Sequence, residues 1–227
     1  MALQNFTTYT EVDSRGEVVV TESKADATLA RRNAPGSYII KDYGVDFFDG
    51  DYTHVFEVYF DSGSGNLGVC MSYALSNVVG GYDDVFGAAG EDKDQVGLDL
   101  FHHAGIAKFR LDKVEDGGGD WETFEGNFDT LYFVTFDRDD DGGANNTGRY
   151  TVYIRTGSHA GPLVDTLLLD AGAGEQNDFR YVYAWQSWGT GGSGQISMYT
   201  QNLNLGIDVP SIISSILRSS IFGGVLK

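Results

Sequence analysis

Apolar and polar side chains alternate along segment after segment of this 227-residue chain, and that period of two is what any fold must satisfy first. In DYTHVFEVYF (51–60), His54, Phe56, Val58 and Phe60 fall on one side of an extended chain, with Thr53, Val55, Glu57 and Tyr59 on the other. In RYTVYIR (149–155), Tyr150, Val152 and Ile154 oppose Arg149, Thr151, Tyr153 and Arg155. Successive side chains of a strand point to opposite faces, so each segment needs a second layer against which to bury its apolar face. Segments of the same character cover 4–10, 17–21, 25–30, 37–42, 67–75, 95–101, 106–113, 119–124, 130–138, 163–169, 178–187 and 194–205. With the two above they make about fourteen short strands, the spacing of two stacked antiparallel sheets. The connectors DSGSGN, EDGGGD, DDDGGANN and GTGGSG are glycine-rich hairpin tips. Gly 31 against Pro 3, with Tyr 13 and Phe 14, suits many strands and little helix.

The last stretch breaks the pattern. In GIDVPSIISSILRSSIFGGVLK, Ile212, Ile213, Ile216, Leu217, Ile221 and Phe222 recur at spacings of one, three and four, which is a helical stripe. Pro210 opens it and Gly223-Gly224 ends it, so the expectation is an amphipathic helix over 210–222. The domain plan is a sandwich over 1–205 and a docking tail over 206–227. The tail is nearly neutral, whereas the body carries the acidic excess. A helix this short is marginal alone in water, so its apolar stripe is expected to dock on another protein subunit and make the chain an oligomer or particle-bound component.

Charge narrows the partners. Lys and Arg number 15 against 33 Asp and Glu, a net of −18, which repels phosphate backbones and anionic membrane surfaces. Nucleic-acid and membrane partners are therefore not expected. Cys70 is the one cysteine and lies in the apolar run LGVCMSYAL, where it reads as a small core side chain. The start MALQNFTTYTE has neither the basic nor the apolar region of a secretory leader, so synthesis without a signal peptide is expected.

The order of blocks FTTYTEVD, EVVVTES, SYIIKDYG leading into FFDGDYTHVFEVYF, TLYFVTFDRD with RYTVYIR, and DFRYVYAWQSWGTGGSGQISMYTQNL resembles the concanavalin A-like lectin/glucanase superfamily over roughly residues 4 to 205. Within it, the blocks look like uncharacterised members common in phage and environmental sequences. The resemblance implies an all-β, concanavalin A-like jelly-roll sandwich in a group whose lectins bind sugars and whose glucanases cleave them. Glucanases of this group carry Glu-x-Asp-x-Glu on one strand, which brings three carboxylates to one face. This chain has no such triplet: Glu11-Val12-Asp13 leads to Arg15, and Asp92-Lys93-Asp94 leads to Val96. His54, His102, His103 and His159 have no metal-ligand spacing, and no nucleophile elbow or phosphate loop occurs. The chain is expected not to be an enzyme.

Two constellations remain. Asp137, Asp139 and Asp141 alternate ahead of Gly142, as in the first half of a calcium loop. Asn145 stands at the ninth place, but the twelfth is Gly148 instead of a glutamate, so the stretch reads either as a Ca2+ cradle or as a solvated hairpin tip. For sugar stacking, the best candidates are Trp185 and Trp188, with Tyr183 and Trp121 behind them. Tyr183 and Trp185 share strand parity, and the competing place for each ring is the core. The expected role is a non-enzymatic structural or display protein of a phage or virus-like particle surface, with these rings as its candidate glycan contacts. The alternatives are a free lectin-like module and a divergent glycoside hydrolase.

Overall fold

Alternation becomes two seven-stranded antiparallel sheets packed face to face. The computed structural model describes residues 3–31, 36–45, 47–65, 68–82, 93–115, 118–171, 179–188 and 194–206. The strands are β1 (Thr10–Val12), β2 (Val18–Val20), β3 (Lys24–Arg31), β4 (Tyr38–Asp42), β5 (Tyr52–Ser64), β6 (Gly68–Ser76), β7 (Gln95–His103), β8 (Ile106–Glu115), β9 (Gly118–Gly126), β10 (Thr130–Asp139), β11 (Arg149–Thr156), β12 (Leu163–Asp170), β13 (Tyr181–Ser187) and β14 (Gln195–Asn204). Sheet A runs β1-β4-β13-β6-β7-β8-β9 and sheet B runs β12-β11-β10-β5-β14-β3-β2. Runs of consecutive strands, such as β6-β7-β8-β9 and β10-β11-β12, alternate with neighbours far apart in the chain, as where β13 inserts between β4 and β6. Of the four connectors expected as hairpin tips, EDGGGD and DDDGGANN do join hairpins, β8–β9 and β10–β11, whereas the strands flanking DSGSGN (β5, β6) and GTGGSG (β13, β14) lie in different sheets, so there the chain crosses the sandwich instead of turning back.

The core lies between the sheets. Phe56, Val58 and Phe60 of β5, Val134 and Phe136 of β10, and Val152 and Ile154 of β11 join Val96, Leu98 and Leu100 of β7 and Phe109 and Leu111 of β8 in one cluster. Among them, Phe56, Val58 and Phe60 of β5 and Val152 and Ile154 of β11 are residues that the period of two assigned to one face. Cys70 is buried and free. His102 and His103, neighbours on β7, turn to opposite sides, His102 buried and His103 exposed.

One strand starts later than expected. Instead of an extended run over 4–10, the Asn5 side chain accepts a hydrogen bond from the Thr7 amide at 3.0 Å and caps a 3-10 turn at Phe6–Thr8. The extended backbone begins only at Thr10. Such short polar side chains offer the backbone a local partner that competes with a sheet ladder. At the other end, β14 stops at Asn204 and Leu205 is still buried. The expected helix over 210–222, with Ile212, Ile213, Ile216, Leu217, Ile221 and Phe222, and the subunit contact assigned to it, lie outside the described residues.

Candidate functional site

Sheet A is buried on both faces at its centre. The second layer over its outer face is the segment 77–82, held down by polar contacts. The Tyr183 hydroxyl accepts from the Gly80 amide at 3.0 Å and donates to the Val78 carbonyl at 3.0 Å. Gln186 Nε2 donates to the Gly80 carbonyl at 2.9 Å, and Gln95 Nε2 donates to Gln186 Oε1 at 2.7 Å. Tyr82 of this segment and Ile40, Met71, Ala74, Val114 and Tyr183 of the sheet form a small apolar cluster of their own. Gly97 lies on the same face, and a Cβ there would come within 2.4 Å of the Tyr73 carbonyl oxygen and 2.6 Å of Met71 Cε. Only glycine lets β6 and β7 approach in this way.

Two β-bulges decide which rings reach this face. The register of β13 shifts between Tyr183 and Trp185, and that of its neighbour β6 shifts between Met71 and Tyr73. Each inserts one residue, so side chains two apart in sequence turn to opposite faces. Tyr183 and Met71 point outward to the small cluster, whereas Trp185 and Tyr73 point into the main core. The parity argument that paired Tyr183 with Trp185 therefore fails. Trp185 is fully buried and cannot stack on a ligand, and Tyr183 is fully buried as a tether for Gly80.

Trp188 and Trp121 do reach the outer face, at either side of a residue that the sequence reading passed over. The Arg110 guanidinium lies 4.6 Å from the Trp188 ring centroid and 5.9 Å from that of Trp121, within range for cation–π attraction. Trp188 stacks on Tyr82 with ring centroids 3.8 Å apart, and Trp121 is 54% exposed. Arg110 sits directly opposite Asp99 in the β7–β8 ladder, and Asp112 sits opposite Trp121 in the β8–β9 ladder. Arg110 Nε donates to Asp99 Oδ2 at 2.7 Å, and its Nη2 reaches both Asp99 Oδ2 and Asp112 Oδ2, the latter at 3.1 Å. The Tyr82 hydroxyl donates to Asp112.

The electrostatics follow from burial. Both aspartate side chains are essentially inaccessible, at 0% and 1%, while Arg110 retains 17%. Burial pushes the Asp99 carboxyl up to about 7, against the pull of Arg110, and among the described residues the second oxygen of Asp99 has no hydrogen-bond partner. Burial also raises Asp112, opposed by Arg110 and by the Tyr82 hydroxyl. Burial works against the charge of Arg110, but Asp99 and Asp112 outweigh it and keep the guanidinium protonated. One signal of this cluster is visible in the sequence. In GLDLF and KFRLDK the alternation places Asp99, Arg110 and Asp112 on the faces opposite Leu98, Leu100, Phe109 and Leu111.

The acidic stretch lies elsewhere, on the outer face of sheet B. Asp137 sits between Thr53 and Thr151 across three strands, and Asp139 follows it on the same side of β10. Together with Asp49, Asp51 and Arg149 they line an open cavity of about 920 Å³. Asp141 leaves the strand in the turn, Asp140 pairs with Arg138 at 2.7 Å, and the Asn145 side chain lies outside the described residues. An extended strand keeps alternate carboxylates spread along its pleat, whereas a calcium loop curls them onto one centre. Among the described residues, no group of three or more His, Cys, Asp or Glu side chains is close enough to hold a metal ion.

No family model and no curated relative matches the chain. Solved structures do share its fold. An alginate lyase, Aly36B, in a mutant form with alginate trisaccharide, is similar with a TM-score of 0.57 at 15% identity, over 88% of this chain and 88% of that one. A legume lectin-like domain from Entamoeba histolytica is similar with a TM-score of 0.52 at 13% identity, over 86% of this chain and 89% of that one. The likeness is one of fold, and it agrees with the resemblance to the concanavalin A-like superfamily.

Proposed function

We propose that the chain is a non-enzymatic glycan-binding module whose ligand lies across the outer face of sheet A, between Trp121 and Trp188. The observation that carries this is the pair of indole rings flanking the guanidinium of Arg110, with Trp121 more than half exposed. Flat aromatic faces pack on the apolar faces of sugar rings while polar groups between them fix orientation. Sandwiches of this shape include a lectin-like domain and a lyase seen with an alginate trisaccharide, which supports a saccharide as the ligand class.

Binding is favoured over catalysis by the state of the carboxylates. A general acid or base must come within hydrogen-bond reach of the bond it acts on. Asp99 and Asp112 are both buried and both engaged with Arg110, and Tyr82 covers Asp112. In the setting implied by the sequence resemblance, a phage or virus-like particle would display this face, with the tail as its attachment to other subunits.

A glycan array probed with wild type and with Trp121→Ala tests the assignment. Binding should be lost in the variant while its melting temperature stays unchanged. Release of shortened or unsaturated oligosaccharides by the purified protein would show instead that the face is catalytic. Antibody labelling of purified particles would test the display role separately.

A further inference from the structure

The hydrogen bonds of Arg110 limit what its guanidinium can still offer a ligand. A guanidinium recognises a carboxylate best through two parallel N–H groups along one edge of its fork. Here the Nε/Nη2 edge is closed by Asp99, and Nη2 also serves Asp112, which removes the second edge as a pair. Nη1 is left without a protein partner among the described residues, on a side chain that is 17% exposed and bordered by Trp188 and Trp121. The site thus offers donors but no spare positive charge: one guanidinium faces two carboxylates. Lys108, the next cation on that face of β8, is paired with Glu125 at 3.0 Å. A chain of net charge −18 adds a repulsive field for any anion approaching it.

Resting on the glycan-face assignment above, we propose that this site selects uncharged saccharides, taking a hydroxyl, ring or acetamido oxygen on Arg110 Nη1 between the two indoles, and discriminates against uronate polymers. A uronate carboxylate would have to shed its water beside Asp99 and Asp112 and would find no free guanidinium edge in return. An uncharged oxygen asks only for one N–H and loses little on desolvation. The fold-level likeness to an alginate-bound lyase therefore does not extend to the charge of the ligand.

The test uses neutral hexasaccharides of glucose, mannose and N-acetylglucosamine and an alginate hexasaccharide, titrated at pH 8 into the full chain. Wild type should bind at least one neutral oligomer at least about tenfold more tightly than the alginate oligomer. Asp112→Asn, which keeps the shape and removes one negative charge, should narrow the preference for the best neutral oligomer over alginate about tenfold. Circular dichroism and melting of Asp112→Asn establish that it folds. If it does not, the salt dependence of wild type decides: neutral-glycan affinity should be flat from roughly 0.05 to 0.5 M salt, whereas capture of an anion by Arg110 would weaken steeply. Alginate bound as tightly as the best neutral oligomer, with the binding lost in Trp121→Ala, overturns the selectivity but leaves the glycan face standing. No binding of either kind, or binding untouched by Trp121→Ala, overturns the glycan face and this inference with it.

Discussion

The outer faces of the two sheets differ in a way that their strand counts do not suggest. On sheet B the face is a single layer open to water: Glu57 bonds Gln201 at 2.6 Å, Tyr59 stacks on Tyr199 at 5.0 Å, and most side chains there are half-buried. On sheet A the corresponding face carries a second layer, and Gln95, Asp99, Asp112 and Gln186 are buried within it. An antiparallel sheet can leave one face in water at no cost, so polar groups buried on the second face call for a reason beyond folding. The contrast teaches where to look for function: at the face that holds more than the fold requires.

Two tryptophans separate core from face. Trp185→Ala should cost about 3–5 kcal/mol because it opens a cavity in the main core. Trp121→Ala should change stability by less than about 0.5 kcal/mol and act on binding alone. Chemical denaturation of both variants measures this, and equal losses would erase the distinction between core and face.

Arg110→Met comes next. It leaves Asp99 and Asp112 buried with no cation, and removal of one partner from such a cluster costs about 3–5 kcal/mol. On the exposed side, Arg180→Ala removes the cation of an open pair with Asp42 and should leave the melting temperature nearly unchanged. Gly97→Ala should cost about 1–3 kcal/mol by overpacking, since its Cβ would press on backbone as well as on Met71.

Acid separates the core from the outer face of sheet A by sign. His54, buried against Tyr52 and bonded to the Tyr73 hydroxyl, has its pKa lowered by burial from 6.5 to about 3. Between those values the unfolded chain binds a proton that the folded one does not, so stability falls as pH drops below 6.5, by about 1.4 kcal/mol per unit at most. Asp99, raised to about 7, does the reverse: the folded chain binds the extra proton, so its contribution is present below the unfolded carboxylate range and is lost as pH rises through 7. From pH 6.5 to 5 the two oppose each other. In Asp99→Asn, melting should therefore fall more steeply with acid than in wild type, and in His54→Phe it should fall less. Parallel pH profiles for all three proteins would remove both assignments.

The smallest effect concerns the acidic stretch. Calcium at millimolar concentration should leave the melting temperature unchanged, given the spread of Asp137, Asp139 and Asp141. A rise that disappears in Asp139→Ala would place a cation there and give the outer face of sheet B a ligand of its own.

What the sequence determined by itself is the layer plan. The runs around Phe56, Phe136 and Val152 have one apolar face, and a period of two allows that face a single burial solution, so these strands and their core positions could be read directly, whereas which glycine-rich connectors are hairpins could not. Only the tertiary structure decided the site. A bulge adds one residue to a strand without changing its composition, so nothing in YVYAWQS tells that Trp185 turns inward while Tyr183 turns out. Sheet A also buries both faces, which blurs the alternation along β7 and β13 on which such an argument depends. Arg110 drew no notice because its partners lie one strand away at Asp99 and across the sheet at Trp188. Pairing between strands distant in sequence is set by sheet order, and sheet order is fixed by the packing of the whole chain, not by any local stretch of it.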